Sequence, residues 1–79
     1  MSLNAEISKT LYEIGEILTI KGDRFKSRAY NTAAQRVAAL PENISAVAAR
    51  GELEKIPSVG KSIALTISEY LESGMSSVL

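Results

Sequence analysis

The chain has 79 residues, 46% of them apolar, with nine basic and nine acidic side chains and a net charge of zero. A chain of this length makes one small domain, burying only a little over ~60% of its unfolded surface. It has no cysteine and no histidine, which excludes a disulfide scaffold, thiolate metal sites, a Ser-His-Asp triad and the usual general base.

Taken in chain order, the apolar residues recur with a helical period throughout and nowhere alternate with a period of two. Ile7, Leu11, Ile14 and Leu18 mark a first helix over residues 5–20, with Asn4 as its N-cap and Gly22 just past its end. Asp23 caps a second helix over 24–40, whose expected buried stripe is Phe25, Ala29, Ala33, Val37 and Leu40, and Pro41 stops it. Asn43 caps a short third helix over 44–50, closed by Gly51. Residues 52–56 form a short arm, Pro57-Ser58-Val59-Gly60 a turn, and residues 61–73 a last helix ended by Gly74, with Ile63, Ala64, Ile67, Tyr70 and Leu71 facing inward. The expected fold is all-α, a compact bundle of four main helices in a single domain spanning 1–79. Only four residues are aromatic, so the core is built from Ile, Leu, Val and Ala, which suits close-packed helices.

No apolar run approaches the ~20 residues needed to span a membrane, and no signal peptide is visible. The expectation is a soluble, monomeric, cytoplasmic and nucleoid-associated domain. Met1-Ser2-Leu3 reads as an expression remnant, and the abrupt end after Leu79 reads as a piece of a longer polypeptide.

The neutral total hides an uneven distribution. Residues 1–20 carry Lys9 against Glu6, Glu13 and Glu16, a net of −2, whereas 21–28 carry Lys21, Arg24, Lys26 and Arg28 against Asp23, a net of +3. Local sign matters more than the chain total for contact with phosphate. A solvated helix face is the plain alternative. Lys26 and Arg28, two residues apart, diverge on a helix and do not face one phosphate together.

The turn between the last two elements is the most informative segment. Pro57 disfavours helix at the residue before it, and Gly60 allows a tight backbone. Beyond Gly60 the first amides of the next helix lack intrahelical partners, so they and the helix dipole attract a phosphate. Leu53 and Ile56 before the turn, Val59 within it, and Ala64 with Ile67 after it complete a pattern that resembles the helix-hairpin-helix motif, a non-sequence-specific reader of the DNA backbone. Ser58 stands where that motif usually has glycine. A plain helical hairpin would need turn residues too, but not this whole set.

Gly22-Asp23-Arg24-Phe25-Lys26-Ser27-Arg28-Ala29-Tyr30, followed by Gly51-Glu52-Leu53, the Ile56–Ala64 hairpin and Glu69-Tyr70-Leu71-Glu72-Ser73-Gly74, resembles the N-terminal domain of family X DNA polymerases. The bacterial and archaeal branch is the nearest pattern, and the resemblance covers residues 4–76. It implies a domain that anchors the 5′-phosphate side of gapped or nicked DNA, covalently linked to polymerase domains in which Mg2+ is expected. It implies 5′-phosphate contacts from Lys26, Tyr30 and the amides of Lys61, Ser62 and Ile63, and the residues themselves add Arg28 flanking Tyr30, the Ser58 hydroxyl and the backbone at Gly60 to the expected contacts. It also implies a monovalent cation, Na+ or K+, held at the hairpin by the backbone carbonyls of Glu54, Ile56 and Val59. The animal branch carries a Schiff-base lysine for abasic-site lyase chemistry. The matching position here is Thr66, with Leu65 and Phe25 at neighbouring pocket positions and Glu54 where a lysine precedes the turn. No catalytic residue is therefore expected in this domain. The rival readings are a helix-hairpin-helix domain of a structure-selective nuclease or DNA-uptake protein, a lyase using Lys55 or Lys61, and a helical protein-interaction module.

Overall fold

A computed structural model describes residues 2–73, and the expected helix end at Gly74 lies outside them. Among the described residues four α-helices form in order: α1 (Leu3–Ile20), α2 (Arg24–Ala38), α3 (Ile44–Ala49) and α4 (Lys61–Ser73), with a 3-10 turn, η1 (Leu53–Lys55), before α4. The fold is all-α. No helix among the described residues is long and apolar enough to cross a membrane.

The local start signals act as helix chemistry requires, with one displacement. Asp23 caps α2 by accepting from the Lys26 amide, and Asn43 caps α3 by accepting from the Ser45 amide. The cap of α1 is Ser2 rather than Asn4, because the Ser2 hydroxyl accepts from the Ala5 amide and starts the helix earlier. Asn4 is thereby freed for a tertiary role. Its side chain accepts from the Ile44 amide and donates to the Glu42 carbonyl, both at 2.8 Å, tying α1 to the start of α3. Gly22, at φ +87°, takes the left-handed conformation that ends α1 and turns the chain into α2.

α2 ends at Ala38 rather than at residue 40, and α3 at Ala49 rather than 50, each with the following residue as its C-cap. The first arm of the hairpin is one 3-10 turn, not an α-helix over 52–56. Pro57 limits its length, since the residue before a proline is pushed to the extended region, and Ile56 has φ −69° and ψ 126°.

One continuous core joins Ile7, Leu11 and Ile14 of α1, Tyr30, Ala33, Ala34 and Val37 of α2, Ile44 and Val47 of α3, the hairpin residues Leu53, Ile56 and Val59, and Ile63, Ala64 and Ile67 of α4. Leu18, Ala29, Leu40, Tyr70 and Leu71 pack partly buried against it. The expected α2 stripe is wrong at its first member. Phe25 is 86% exposed. Steps of four residues advance about 40° past a full turn each, so a stripe anchored at Val37 has rotated off the core by Phe25. The inward positions at that end of α2 are Ser27 and Tyr30.

α1 and α2 meet through small and polar groups. The Ser8 hydroxyl donates to the Ala34 carbonyl at 2.7 Å, the Thr19 and Ser27 hydroxyls share a hydrogen bond, and Gly15 faces Asn31. A Cβ on Gly15 would overlap Asn31 Oδ1 and lie 3.3 Å from the Ser27 carbonyl, so the close crossing depends on that glycine.

Candidate nucleic-acid interface

The hairpin brings the start of α4 against the start of α2. Val59 and Ile63 are buried on either side of Gly60 and hold the turn to the core. The Val59 amide donates to the Ile56 carbonyl at 3.0 Å, and the Ala64 amide to the Gly60 carbonyl at 2.9 Å. Gly60 is thus the residue from which α4 begins.

Three helices have a side-chain oxygen on an N-terminal amide: Ser2, Asp23 and Asn43. The fourth has glycine at that place. The amides of Gly60, Lys61, Ser62 and Ile63 have no acceptor among the described residues, and they form the open positive end of a 13-residue helix.

Gly60 is not in the left-handed region, and a Cβ there would meet open space. Gly60 therefore carries no backbone strain. The left-handed residue of the hairpin is Ser58, at φ +70°, where helix-hairpin-helix motifs usually have glycine. The turn needs a positive φ two residues before Gly60, and serine adopts it at a steric cost.

Lys26, Tyr30, Ser58, Gly60, Lys61, Ser62 and Ile63 line one groove of about 500 Å³, with Phe25 at its edge. Seven of the eight candidate phosphate contacts thus converge, although α2 and α4 are about thirty residues apart in sequence. Arg28 does not join them. It lies in an adjoining groove of about 480 Å³ with Arg24, Phe25, Ala29, Thr32 and Ser58.

Tyr30 forms the groove's inner wall, not an exposed donor. It is 7% exposed, and its hydroxyl lies 3.1 Å from the Thr66 hydroxyl. Thr66 donates to the Ser62 carbonyl at 3.2 Å, so the phenol proton is directed at Thr66. Thr66 is itself buried.

The charges divide into two groups. Arg50 pairs with Glu42 at 3.0 Å and Glu52 at 2.9 Å, and Lys55 with Glu52 at 3.3 Å. Hydrogen bonds from Arg50 and then Lys55 hold the Glu52 carboxyl below its ordinary pKa, while donating to Glu42 and then Glu52 raises that of Arg50. These cations are already neutralised. Arg24, Lys26, Arg28 and Lys61 are exposed and make no ion pair among the described residues. They surround the two grooves and give this face its positive potential.

Phe25 and Arg24 line these grooves, a placement that helical periodicity does not indicate. Flanking by Arg24, Lys26 and Arg28 is the signal in the sequence that Phe25 faces solvent.

The carbonyls of Glu54 and Val59 accept no hydrogen bond among the described residues, whereas that of Ile56 accepts from Val59.

No curated protein and no solved structure matches the chain. The model of the helix-hairpin-helix domain matches residues 2–76, nearly its full length. With a hairpin that presents unpartnered amides beside unpaired lysines, the chain belongs to the helix-hairpin-helix domain family, a DNA-binding module.

Proposed function

We propose that this domain anchors the 5′-phosphate side of gapped or nicked DNA as the N-terminal domain of a family X DNA polymerase. The observation that carries the reading is the glycine-started α4, whose free amides share one groove with Lys26 and Lys61. A terminal phosphate carries more charge than an internal diester. Four N–H donors, a helix dipole and two ammonium groups suit it. The Gly22–Tyr30 segment at its spacing from the hairpin supports the polymerase assignment over other helix-hairpin-helix proteins.

The binding is without covalent chemistry of its own. A Schiff base needs an accessible amine, and Thr66 occupies the lyase position as a buried hydroxyl. The exposed Phe25 ring supplies a face on which an unpaired base at the gap stacks. A monovalent cation on the carbonyls of Glu54, Ile56 and Val59 would bridge the hairpin and the phosphate. The domain acts as a monomer in a cytoplasmic, nucleoid-associated enzyme.

Fluorescence anisotropy on gapped DNA with and without a 5′-phosphate tests the assignment. Tighter binding to the phosphorylated form is expected, with log affinity falling against log salt at a slope of about −2 to −3. Equal affinity for the two forms, or a slope near zero, removes it.

A further inference from the structure

We propose that the second groove, lined by Arg24, Phe25, Arg28, Thr32 and Ser58, holds the backbone of the opposite DNA strand, so that the domain grips both strands at once. The inference rests on the phosphate-binding reading above and adds a second strand to it.

The two grooves lie side by side and share Phe25, Ala29 and Ser58 as a common wall. Each has its own pair of cations. Lys26 and Lys61 belong to the first, Arg24 and Arg28 to the second. Arg24 and Arg28 are one helical turn apart on α2 and project from the same face, whereas Lys26 points away from it. No carboxylate among the described residues pairs with either arginine. Like charges at this spacing repel, and a phosphate between them converts the repulsion into two attractions. Planar guanidinium groups suit a diester's two free oxygens.

The chemistry of the grooves also differs in the charge each accepts. The first contains the open N-terminus of α4. The second lies along α2, where the Asp23 carboxylate accepts from the Lys26 amide at 3.1 Å and places its own negative charge at the helix end. With that charge beside it, the second groove suits a singly charged internal diester rather than a terminal phosphate. The ridge of Phe25 and Ser58 stands between the two, so a strand that ends in the first groove would have to cross it to reach the second. The complementary strand, which runs through the gap without a terminus, meets no such obstacle.

The test compares the parent with Arg24→Ala/Arg28→Ala on two ligands, a gapped duplex and a 5′-phosphorylated single strand. Both positions are exposed, and circular dichroism checks that the helices persist. On gapped DNA the double variant should lower the salt slope by about one while keeping its preference for a 5′-phosphate. On the single strand it should bind as the parent does. Uncharged methylphosphonate linkages in the continuous strand opposite the gap should reproduce the loss with the unmodified protein. Equal loss on both ligands would place the arginines on the same strand and overturn the proposal, as would no loss on either. Failure of the 5′-phosphate reading shows separately, as a parent protein indifferent to that phosphate.

Discussion

The Tyr30 hydroxyl lies 3.1 Å from the Thr66 hydroxyl, joining α2 to α4 beneath the groove across 36 residues of sequence. Both side chains are buried, and Thr66 passes the chain of hydrogen bonds on to the Ser62 carbonyl in the first turn of α4. The bond therefore braces the helix end that presents its amides. Thr66 is thus a structural hydroxyl, and an amine introduced there would displace the brace.

Tyr30→Phe should lower stability by about 1 kcal/mol, the usual net value of one buried hydrogen bond. Urea unfolding reads it as a lower midpoint at unchanged slope. An unchanged midpoint would mean that the phenol contributes nothing to holding α2 and α4 together.

Ser58→Gly should stabilise the domain. A side chain at φ +70° costs of order 1–2 kcal/mol, and glycine removes that cost while adding about 0.5–1 kcal/mol of unfolded-chain entropy. The net gain is roughly 0.5–1 kcal/mol by thermal or urea unfolding. A loss of stability would show that the serine hydroxyl offsets its own strain.

Gly60→Asp should separate stability from binding. An aspartate there supplies α4 with the side-chain cap that Asp23 supplies to α2, a stabilisation of about 0.5 kcal/mol. The same carboxylate fills the anion site and repels phosphate, so affinity for 5′-phosphorylated gapped DNA should fall at least about tenfold. A variant that binds DNA like the parent would reduce the hairpin to a turn.

Gly15→Ala should destabilise the α1–α2 crossing. Overpacking against Asn31 and the Ser27 carbonyl costs about 1–3 kcal/mol, against a helix-propensity gain of about 1 kcal/mol. Asn31 Oδ1 is buried with no hydrogen-bond partner, so Asn31→Ala should be tolerated and should restore part of the loss in the double variant. Strict additivity in this cycle would show that the two residues do not share the contact.

The Glu52 carboxyl predicts an acid-sensitive link between α3 and the hairpin. Its folded pKa is lowered, first by the Arg50 hydrogen bond and then by that of Lys55. Its stabilisation is therefore complete above the ordinary carboxylate value of about 4.3 and is lost as pH falls through the lower folded value. Thermal unfolding should show Glu52→Gln less stable than the parent at pH 7 and the two converging as pH falls below the lowered folded value. A difference that persists undiminished in acid would assign the effect to packing.

The helices were legible from the chain alone because their signals are local. Capping by Asp23 and Asn43, the stop at Pro41 and the Pro57–Gly60 turn each depend on residues within a few positions of one another. So do the 61–73 helix and its exposed N-terminal amides, which is why the hairpin residues expected to act together also lie together in one groove. What the sequence left open was the rotation of each helix about its axis and the partner of each polar side chain, since both are settled by elements distant in the chain. Packing of α2 through Ser27, Asn31 and Ala34 onto α1 turns Phe25 outward and places Arg28 in a different groove from Lys26. The fold likewise spends Asn4 on the start of α3 and the Tyr30 hydroxyl on Thr66, and the curvature of the turn puts the left-handed backbone at Ser58 rather than Gly60. Periodicity selects which residues can be buried. Only the neighbouring helix decides which of them are.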